Sequence, residues 1–164
     1  MPSERIRLTA NFKLADGNHP EVSCLMEKYS RMVNELLEYA QSKGITSFKR
    51  LKAEKYHELR AENPELPSHY IYTACQMASW TYKSFRKLKR RSKAHGDKPL
   101  FKKGVVMLDD HLFTLNLEKW EASIATSKGR ISLKLMHGTY HEKFKGMRVG
   151  EAWLTRKQGD VLYL

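Results

Sequence analysis

The chain has 164 residues, of which 41% are hydrophobic and 29% charged, which is enough apolar material for the core of one domain. Its apolar runs are far shorter than the roughly 20 residues that a membrane span needs, and its first residues lack the apolar core of a signal peptide, so we expect a cytoplasmic protein without a membrane partner. The formal net charge of +12 is concentrated, because residues 67–104 carry ten basic side chains and one acidic side chain. A local excess of this kind recruits polyanions such as nucleic acid.

Residues 4–14 alternate strictly between apolar and polar side chains. This period of two predicts a half-buried first strand, which the turn residues 16–18 end. The polar face of the strand carries a row of three basic residues, Arg5, Arg7 and Lys13. The row is open to two interpretations: an ordinary solvated face, or an extension of a nucleic-acid-binding surface.

Three helices are predicted next, in the ranges 20–43, 47–63 and 67–96. Apolar residues recur with a helical period in each. Gly44 lies where a C-terminal glycine cap belongs, and Thr46 or Ser47 caps the second helix. Pro67 and Ser68 open the third. The three helices together predict a small bundle.

The third helix changes character along its length. Its apolar register stops after Leu88, and basic residues dominate from there. The candidate nucleic-acid-binding residues are Lys83, Arg86, Lys87, Lys89, Arg90, Arg91 and Lys93 on the helix, Lys98, Lys102 and Lys103 after it, and Arg5 and Arg7 on the first strand. Trp80 joins them as a residue that stacks on bases, with a place in the bundle core as the alternative. Lysine and arginine contacts to phosphate position a protein on its ligand without selecting a sequence.

After residue 99 the pattern changes to short runs that are rich in β-branched and aromatic residues. These runs cover 104–108, 111–117, 120–126, 130–136, 148–156 and 160–164. The SKGR turn makes a hairpin of the third and fourth runs. With the first strand there are six or seven strands, enough for a small barrel or a curled sheet. We therefore predict an α+β fold in which residues 1–18 and 99–164 form a β domain, with a helical bundle of residues 19–98 inserted after the first strand.

The sequence offers no convincing catalytic constellation. His137 and His141 share a predicted loop with Tyr140 and Lys143, a set that a metal-free ribonuclease could use, although we expect ordinary exposed loop histidines. The run Asp109-Asp110-His111 is either a metal site or a plain turn, and we expect a turn. The cysteines, Cys24 and Cys75, lie in predicted helices as small buried thiols, and without a CxxC pair there is no zinc ribbon. We therefore predict no catalytic residue, no metal, no cofactor and no small-molecule substrate.

Several stretches together resemble the N-terminal part of the TnpB/OrfB family, the insertion-sequence proteins that are similar to type V CRISPR effectors. The stretches are the alternating RIRLTANFKL, the helical MVNELLEYA, ITSFKRLKAEKYHELR and LPSHYIYTACQMASWTYKSFRK, the basic KPLFKK, and the β segments GRISLKL and EAWLTRKQGDVLYL. They cover nearly the whole chain. Each is a pattern of hydrophobicity and charge more than an invariant motif.

The resemblance implies an oligonucleotide-binding-like β domain, the wedge, with a helical recognition bundle inserted in it. It implies binding of guide RNA and of DNA beside a target. In that family, cleavage belongs to a following nuclease domain with three acidic residues and a zinc ribbon, which this chain lacks, so the resemblance implies a binding module and not an enzyme. Two alternatives stay open: a protein-interaction module whose basic face binds an acidic partner, and a small metal-free ribonuclease. The oligomeric state stays undetermined.

Overall fold

The computed structural model describes residues 6–17, 19–159 and 161–164, and it has an α+β fold of three helices and a curled antiparallel sheet of seven strands. The elements are β1 (Lys13–Leu14), α1 (Pro20–Lys43), α2 (Phe48–Glu62), α3 (His69–Arg90), β2 (Val105–Leu108), β3 (Phe113–Asn116), β4 (Glu121–Thr126), β5 (Gly129–Met136), β6 (Ala152–Lys157) and β7 (Val161–Tyr163). A 3₁₀ helix, Thr139–Phe144, lies between β5 and β6, where the sequence predicts a polar loop. Among the helices described, none is long and apolar enough to cross a membrane.

The strands of the sheet follow the order β2-β6-β7-β1-β5-β4-β3, and all neighbouring pairs are antiparallel. The predicted hairpin is confirmed, since β4 pairs with β5 along its whole length and Thr126 faces Gly129 at the turn. The first and last strands of this order, β2 and β3, pair with a neighbour on one side only in the described chain.

The predicted first strand is wrong over most of its length. Only Lys13 and Leu14 belong to β1, and Phe12 adds two backbone hydrogen bonds of 2.9 Å with Leu164. The predicted alternation of buried and exposed residues is confirmed near the strand, where Phe12 and Leu14 are buried. It fails further upstream, where Ile6 is 81% exposed. Since β5 ends at residue 136 and β7 at residue 163, no described strand runs beside residues 6–11. Alternation cannot make a strand without a neighbour to bond.

The third helix also ends earlier than predicted, at Arg90 and not at Gly96. Ser92 takes a left-handed conformation with a φ of 54°. Its amide donates to the carbonyl of Lys89 at 3.0 Å, and the amide of Lys93 donates to the carbonyl of Leu88 at 2.9 Å. This pair of hydrogen bonds is the Schellman arrangement, which closes a helix after a left-handed residue. A serine in the position that glycine usually fills concealed the end of the helix.

One continuous core joins the helices to the sheet. Ala74 and Ala78 are fully buried on α3 and allow α1 to approach closely. The hydroxyl of Tyr70, on α3, donates to the carbonyl of Ala125, on β4, at 2.6 Å. On the other side, Nη2 of Arg156, on β6, donates to Oγ of Ser23, on α1, at 2.8 Å. The helices are therefore anchored to the sheet at two separate points.

Candidate nucleic-acid interface

The C-terminal part of α3 projects from the core as a basic surface. No side chain from Lys83 to Lys93 is buried, and within this range only Phe85 and Arg86 are partly covered. Tyr82 is the last buried residue of the helix, and Phe85 and Leu88 continue its apolar register without being buried. We call Lys83, Arg86, Lys87, Lys89, Arg90, Arg91 and Lys93, together with Lys98, Lys102 and Lys103, the basic face.

Little negative charge compensates the basic face. Within the described chain, two of its members have a carboxylate oxygen within 4.0 Å: Lys89 lies 3.9 Å from Asp97, and Lys103 lies 3.7 Å from Glu27. Both distances are long and all four side chains are substantially exposed, so these pairs contribute little to stability. The positive charges therefore stay available to an external anion.

Two cations of the basic face lie near aromatic rings. The guanidinium carbon of Arg86 lies 5.8 Å from the ring centre of Tyr82, and Nζ of Lys89 lies 5.9 Å from that of Phe85. Both distances are close to the limit of about 6 Å for a cation–π contact. Tyr82 is buried and Phe85 is partly buried, so each of these cations lies beside a ring that the core holds in place.

The segment after the helix returns along α1 and carries the remaining lysines. The side chain of Asn34 forms two hydrogen bonds with the backbone of Phe101, at 2.8 and 3.0 Å. Nε2 of Gln41 donates to the carbonyl of Asp97 at 2.9 Å. These bonds fix the segment to α1 and leave its three lysines, Lys98, Lys102 and Lys103, exposed.

Trp80 lies on the surface, with 44% of its area exposed, so the alternative of a core position is wrong. It lines a shallow groove of about 380 Å³ between α3 and the start of α2, with Phe48, Lys49, Gln76 and Lys83 among the other lining residues. The hydroxyl of Ser79 donates to the carbonyl of Thr46 at 2.6 Å and fixes the loop that forms one wall.

The groove leads into the basic face. Positions 76, 80, 83, 87 and 90 follow one stripe of α3, since residues three and four apart are neighbours on a helix surface. The tryptophan therefore stands at one end of a row of cations. Lys49 is a functional candidate that sequence reasoning missed, because residues 19–66 carry equal numbers of basic and acidic side chains and nothing local pairs the start of α2 with α3.

Two arginines are proposed on the first strand, and the structure describes one of them. Arg5 lies outside the described residues. Arg7 is exposed in the segment before β1 and has no hydrogen bond or ion pair with α3 in the described chain. The structure thus brings together the basic face and Trp80 on α3 and the segment that follows it, whereas Arg7 lies in the segment before β1.

The loop histidines are held in ways that suit a structural role. Nδ1 of His141 accepts from the amide of Gly138 at 3.0 Å, and its Nε2 lies 3.0 Å from the carbonyl of Asn11. The ring of His137 stacks on Trp120 at 4.1 Å. A general acid or base needs a free ring nitrogen facing a substrate. Both nitrogens of His141 already have backbone partners.

Fold and surface together define a small α+β protein with one strongly basic face. Residues 25–124 match the model of the uncharacterized protein MJ0013 family, and the chain belongs to that family. It is similar to the uncharacterized protein MJ0857 of Methanocaldococcus jannaschii, with 36% identity over 99 residues, which are 57% of this chain and 36% of that protein. The chain thus matches about a third of the length of this curated relative. The family match includes α2, α3, the basic face and all of α1 after its first five residues.

Proposed function

We propose that this protein is a nucleic-acid-binding module of a transposon-encoded, TnpB/OrfB-like protein. The observation that carries the proposal is the basic face, in which ten cations meet only two long contacts to carboxylates in the described chain. RNA, DNA or both are the ligands, and neither a small-molecule substrate nor a catalytic step is part of the proposal. The resemblance stated above supplies the transposon context.

The proposed binding mechanism is phosphate neutralisation along α3 and the segment that follows it. Phosphates bind the stripe of Lys83, Lys87 and Arg90, and the exposed lysines of the return segment extend the path towards the sheet. Trp80 offers a stacking surface to an unpaired base at the end of this path. Lys49 and Lys83, which line the same groove, would hold the flanking phosphates.

The proposed architecture is an oligonucleotide-binding-like β domain with the helical bundle inserted after its first strand. The pairing of β1 between β5 and β7 supports this arrangement, because β1 precedes the helices in the chain while its neighbours follow them. An insertion of this kind places α3 and its basic end beside the sheet. A ligand can then touch both parts at once.

The test is binding of the tag-free protein to labelled structured RNA, single-stranded DNA and duplex DNA across a salt series. The protein is first washed at high salt until its absorbance at 260 nm is that of protein alone. If six to eight phosphates are neutralised, the log-log slope of affinity against salt on duplex DNA is roughly −5 to −7. Tighter binding of structured RNA than of either DNA would support a guide-RNA role.

Three outcomes would count against the proposal. No binding of any nucleic acid at low salt would overturn it and would favour an acidic protein as the partner of the basic face. Weak binding of all three ligands with a shallow salt slope would mean that the basic face attracts anions without being a nucleic-acid-binding site. RNA turnover in EDTA that is lost in His137→Ala with His141→Ala would instead favour the ribonuclease alternative.

A further inference from the structure

A cluster of potential metal ligands lies where the start of α3 meets the turn between β2 and β3. Nδ1 of His69, the first residue of α3, lies 2.8 Å from Oδ2 of Asp109. The ring of His111 stacks on the ring of His69 with 3.9 Å between the ring centres. One ligand atom from each of these three residues lies within 4.8 Å of those of the other two. The sequence placed two of these residues in a turn but could not show that His69, 40 residues earlier, completes the set.

The backbone holds the aspartate in position. Oδ1 of Asp109 accepts from the amides of His111 and Leu112, at 3.0 and 3.2 Å, so the turn fixes one carboxylate oxygen and directs the other to His69. Nη2 of Arg130 donates to the carbonyl of His111 at 2.8 Å and fixes the next residue of the turn. Hydrogen bonds that orient a ligand in this way accompany most protein metal sites.

His69 is held from its other side by a stack of rings. Tyr72, one turn further along α3, stacks on His69 with 5.3 Å between ring centres. Nζ of Lys52 lies 3.7 Å from the ring centre of Tyr72 and closes the stack. The imidazole therefore has a defined plane, with Nδ1 towards the aspartate, before any ion arrives.

We propose that His69, Asp109 and His111 bind one divalent transition-metal ion of the Zn²⁺ or Co²⁺ class. Two imidazole nitrogens and a carboxylate oxygen are the donors that such ions take, whereas Mg²⁺ prefers oxygen alone. Bonds of about 2.0–2.2 Å at a tetrahedral angle place two ligand atoms roughly 3.3–3.6 Å apart. The contact of 2.8 Å between His69 and Asp109 reaches that separation by opening by a fraction of an ångström. His111 is 62% exposed and can turn its ring towards the ion.

The charges around the cluster favour a cation. Asp109 carries one negative charge, and Oδ1 of Asp110 lies 3.0 Å from Nδ1 of His111 and adds a second. The guanidinium of Arg130 is the opposing positive group, and it is bound to a backbone carbonyl. The exposed side of His111 leaves the remaining coordination positions to water.

A second cluster of potential metal ligands in the described chain already holds a cation of the protein. Glu35, Glu58 and Glu62 also bring three ligand atoms together. The ammonium of Lys55, however, lies 3.1 Å from Glu35 and 2.7 Å from Glu58, so a cation of the protein already occupies this cluster. No such cation lies between His69, Asp109 and His111 in the described structure.

The proposal does not rest on nucleic-acid binding. An ion at this place would tie the start of α3 to the turn between β2 and β3, and so the helices to the sheet. Because the three ligands come together only in the folded chain, the ion would bind the native state and raise its melting temperature.

The experiment uses the full chain without a histidine tag, after treatment with EDTA and removal of the chelator. Zn²⁺ and Co²⁺ are titrated by calorimetry, and Co²⁺ also by its visible absorption. We expect one ion per chain, a rise of several degrees in melting temperature, and no response to Mg²⁺. His111→Ala and Asp109→Asn should each weaken Zn²⁺ binding at least tenfold. The asparagine keeps an oxygen for the two turn amides, so this variant should stay folded.

His57→Ala and His95→Ala are the matched controls, because both histidines are exposed and lie outside the cluster. Zn²⁺ affinity should be unchanged in both. The proposal is overturned if the unmodified chain binds no Zn²⁺ at 1:1 stoichiometry. It is equally overturned if His111→Ala and Asp109→Asn bind as tightly as the controls. The contact between His69 and Asp109 would then be a hydrogen bond that joins helix and turn without an ion.

Discussion

At the scale of single residues, Trp80 offers the sharpest test of the proposed interface. Single-stranded nucleic acid gains about 1–3 kcal/mol for each base that stacks on an aromatic side chain. We expect Trp80→Ala to weaken binding of single-stranded RNA by about 5- to 150-fold, the equivalent of that range. The change removes little core packing because the ring is 44% exposed. Fluorescence anisotropy with a labelled oligonucleotide measures the effect.

Trp153 supplies the control for this prediction. It lies on β6 with the same exposed fraction of 44%, and it is not a lining residue of the groove beside α2. Trp153→Ala should therefore leave the affinity unchanged. Equal losses in the two variants would contradict a stacking role that is specific to Trp80.

Ser92 carries a second prediction at this scale. A side chain in the left-handed region costs roughly 1 kcal/mol, and glycine avoids that cost. We expect Ser92→Gly to raise the free energy of unfolding by about 0.5–1 kcal/mol, measured by urea denaturation. The same substitution at Ser84, inside α3 and exposed, should lower it by about 0.5 kcal/mol. A loss of stability in Ser92→Gly would contradict the Schellman closure at the end of α3.

At the scale of elements, local signals account for what the sequence predicted well. Gly44 is in the left-handed conformation after α1, and Ser47 accepts from the amide of Arg50 at the start of α2, as their positions in the sequence indicate. The hairpin of β4 and β5 follows equally from a turn between two alternating runs. Caps, turns and periodicity act over a few residues, so one chain displays them directly.

What the sequence could not predict depends on partners far along the chain. The first strand shortened to two residues because its neighbours end beside it. Lys49 reaches the groove of Trp80 only because Ser79 binds the loop before α2. His69 meets Asp109 only because α3 packs against the end of β2. Contacts of this range have no local pattern that a single sequence can display.

The exposed end of α3 carries the prediction for this scale. Reversing Arg86, Arg90 and Arg91 to Glu changes the charge of the basic face by six units and removes no buried side chain. We expect nucleic-acid affinity to fall at least about 100-fold near 0.1 M salt, and the salt slope to become shallower by about two to three. The melting temperature should change little, since surface charges contribute weakly to stability.

A variant with Lys119, Arg148 and Lys157 changed to Glu is the matched control. These three cations are exposed on or beside the sheet, and their reversal gives the same net charge. If both triple variants lose affinity to the same extent, overall charge and not the basic face drives binding. If the α3 variant binds like the unmodified protein, the interface lies elsewhere.

At the scale of the whole molecule, two tyrosine hydroxyls and one cysteine thiol are buried in the core. They lie where the helices pack against each other and against the sheet. Tyr29 on α1 donates to Oγ1 of Thr73 on α3 at 3.3 Å, and Tyr70 on α3 donates to the carbonyl of Ala125 on β4 at 2.6 Å. Cys75, five residues after Tyr70 on α3, is fully buried. Burial raises the pKa of both tyrosines above the ordinary range and raises the pKa of the Cys75 thiol to about 12.

These raised pKa values predict how stability depends on pH. Each group is neutral when protonated, and the unfolded chain loses its protons at about pH 8.5 for cysteine and about pH 10 for tyrosine. A group whose folded pKa is raised contributes its full stabilisation below the unfolded pKa and loses it as the pH rises towards the folded value. The free energy of unfolding should therefore be flat near pH 7 and fall above about pH 9. Each group contributes up to about 1.4 kcal/mol per pH unit.

Tyr70→Phe measures how much one hydroxyl contributes to the loss of stability at alkaline pH. The raised pKa of Lys55, which lies between two carboxylates, also contributes to that loss. At pH 7 the variant should be less stable by about 1–3 kcal/mol, because the carbonyl of Ala125 loses its donor. Above pH 10 its stability should fall less steeply, since phenylalanine has no proton to lose. Urea denaturation from pH 7 to 11 measures both effects, with Tyr140→Phe, at 59% exposure, as the control. If stability falls equally steeply with pH in Tyr70→Phe and Tyr140→Phe, the hydroxyl of Tyr70 does not contribute to the alkaline loss of stability.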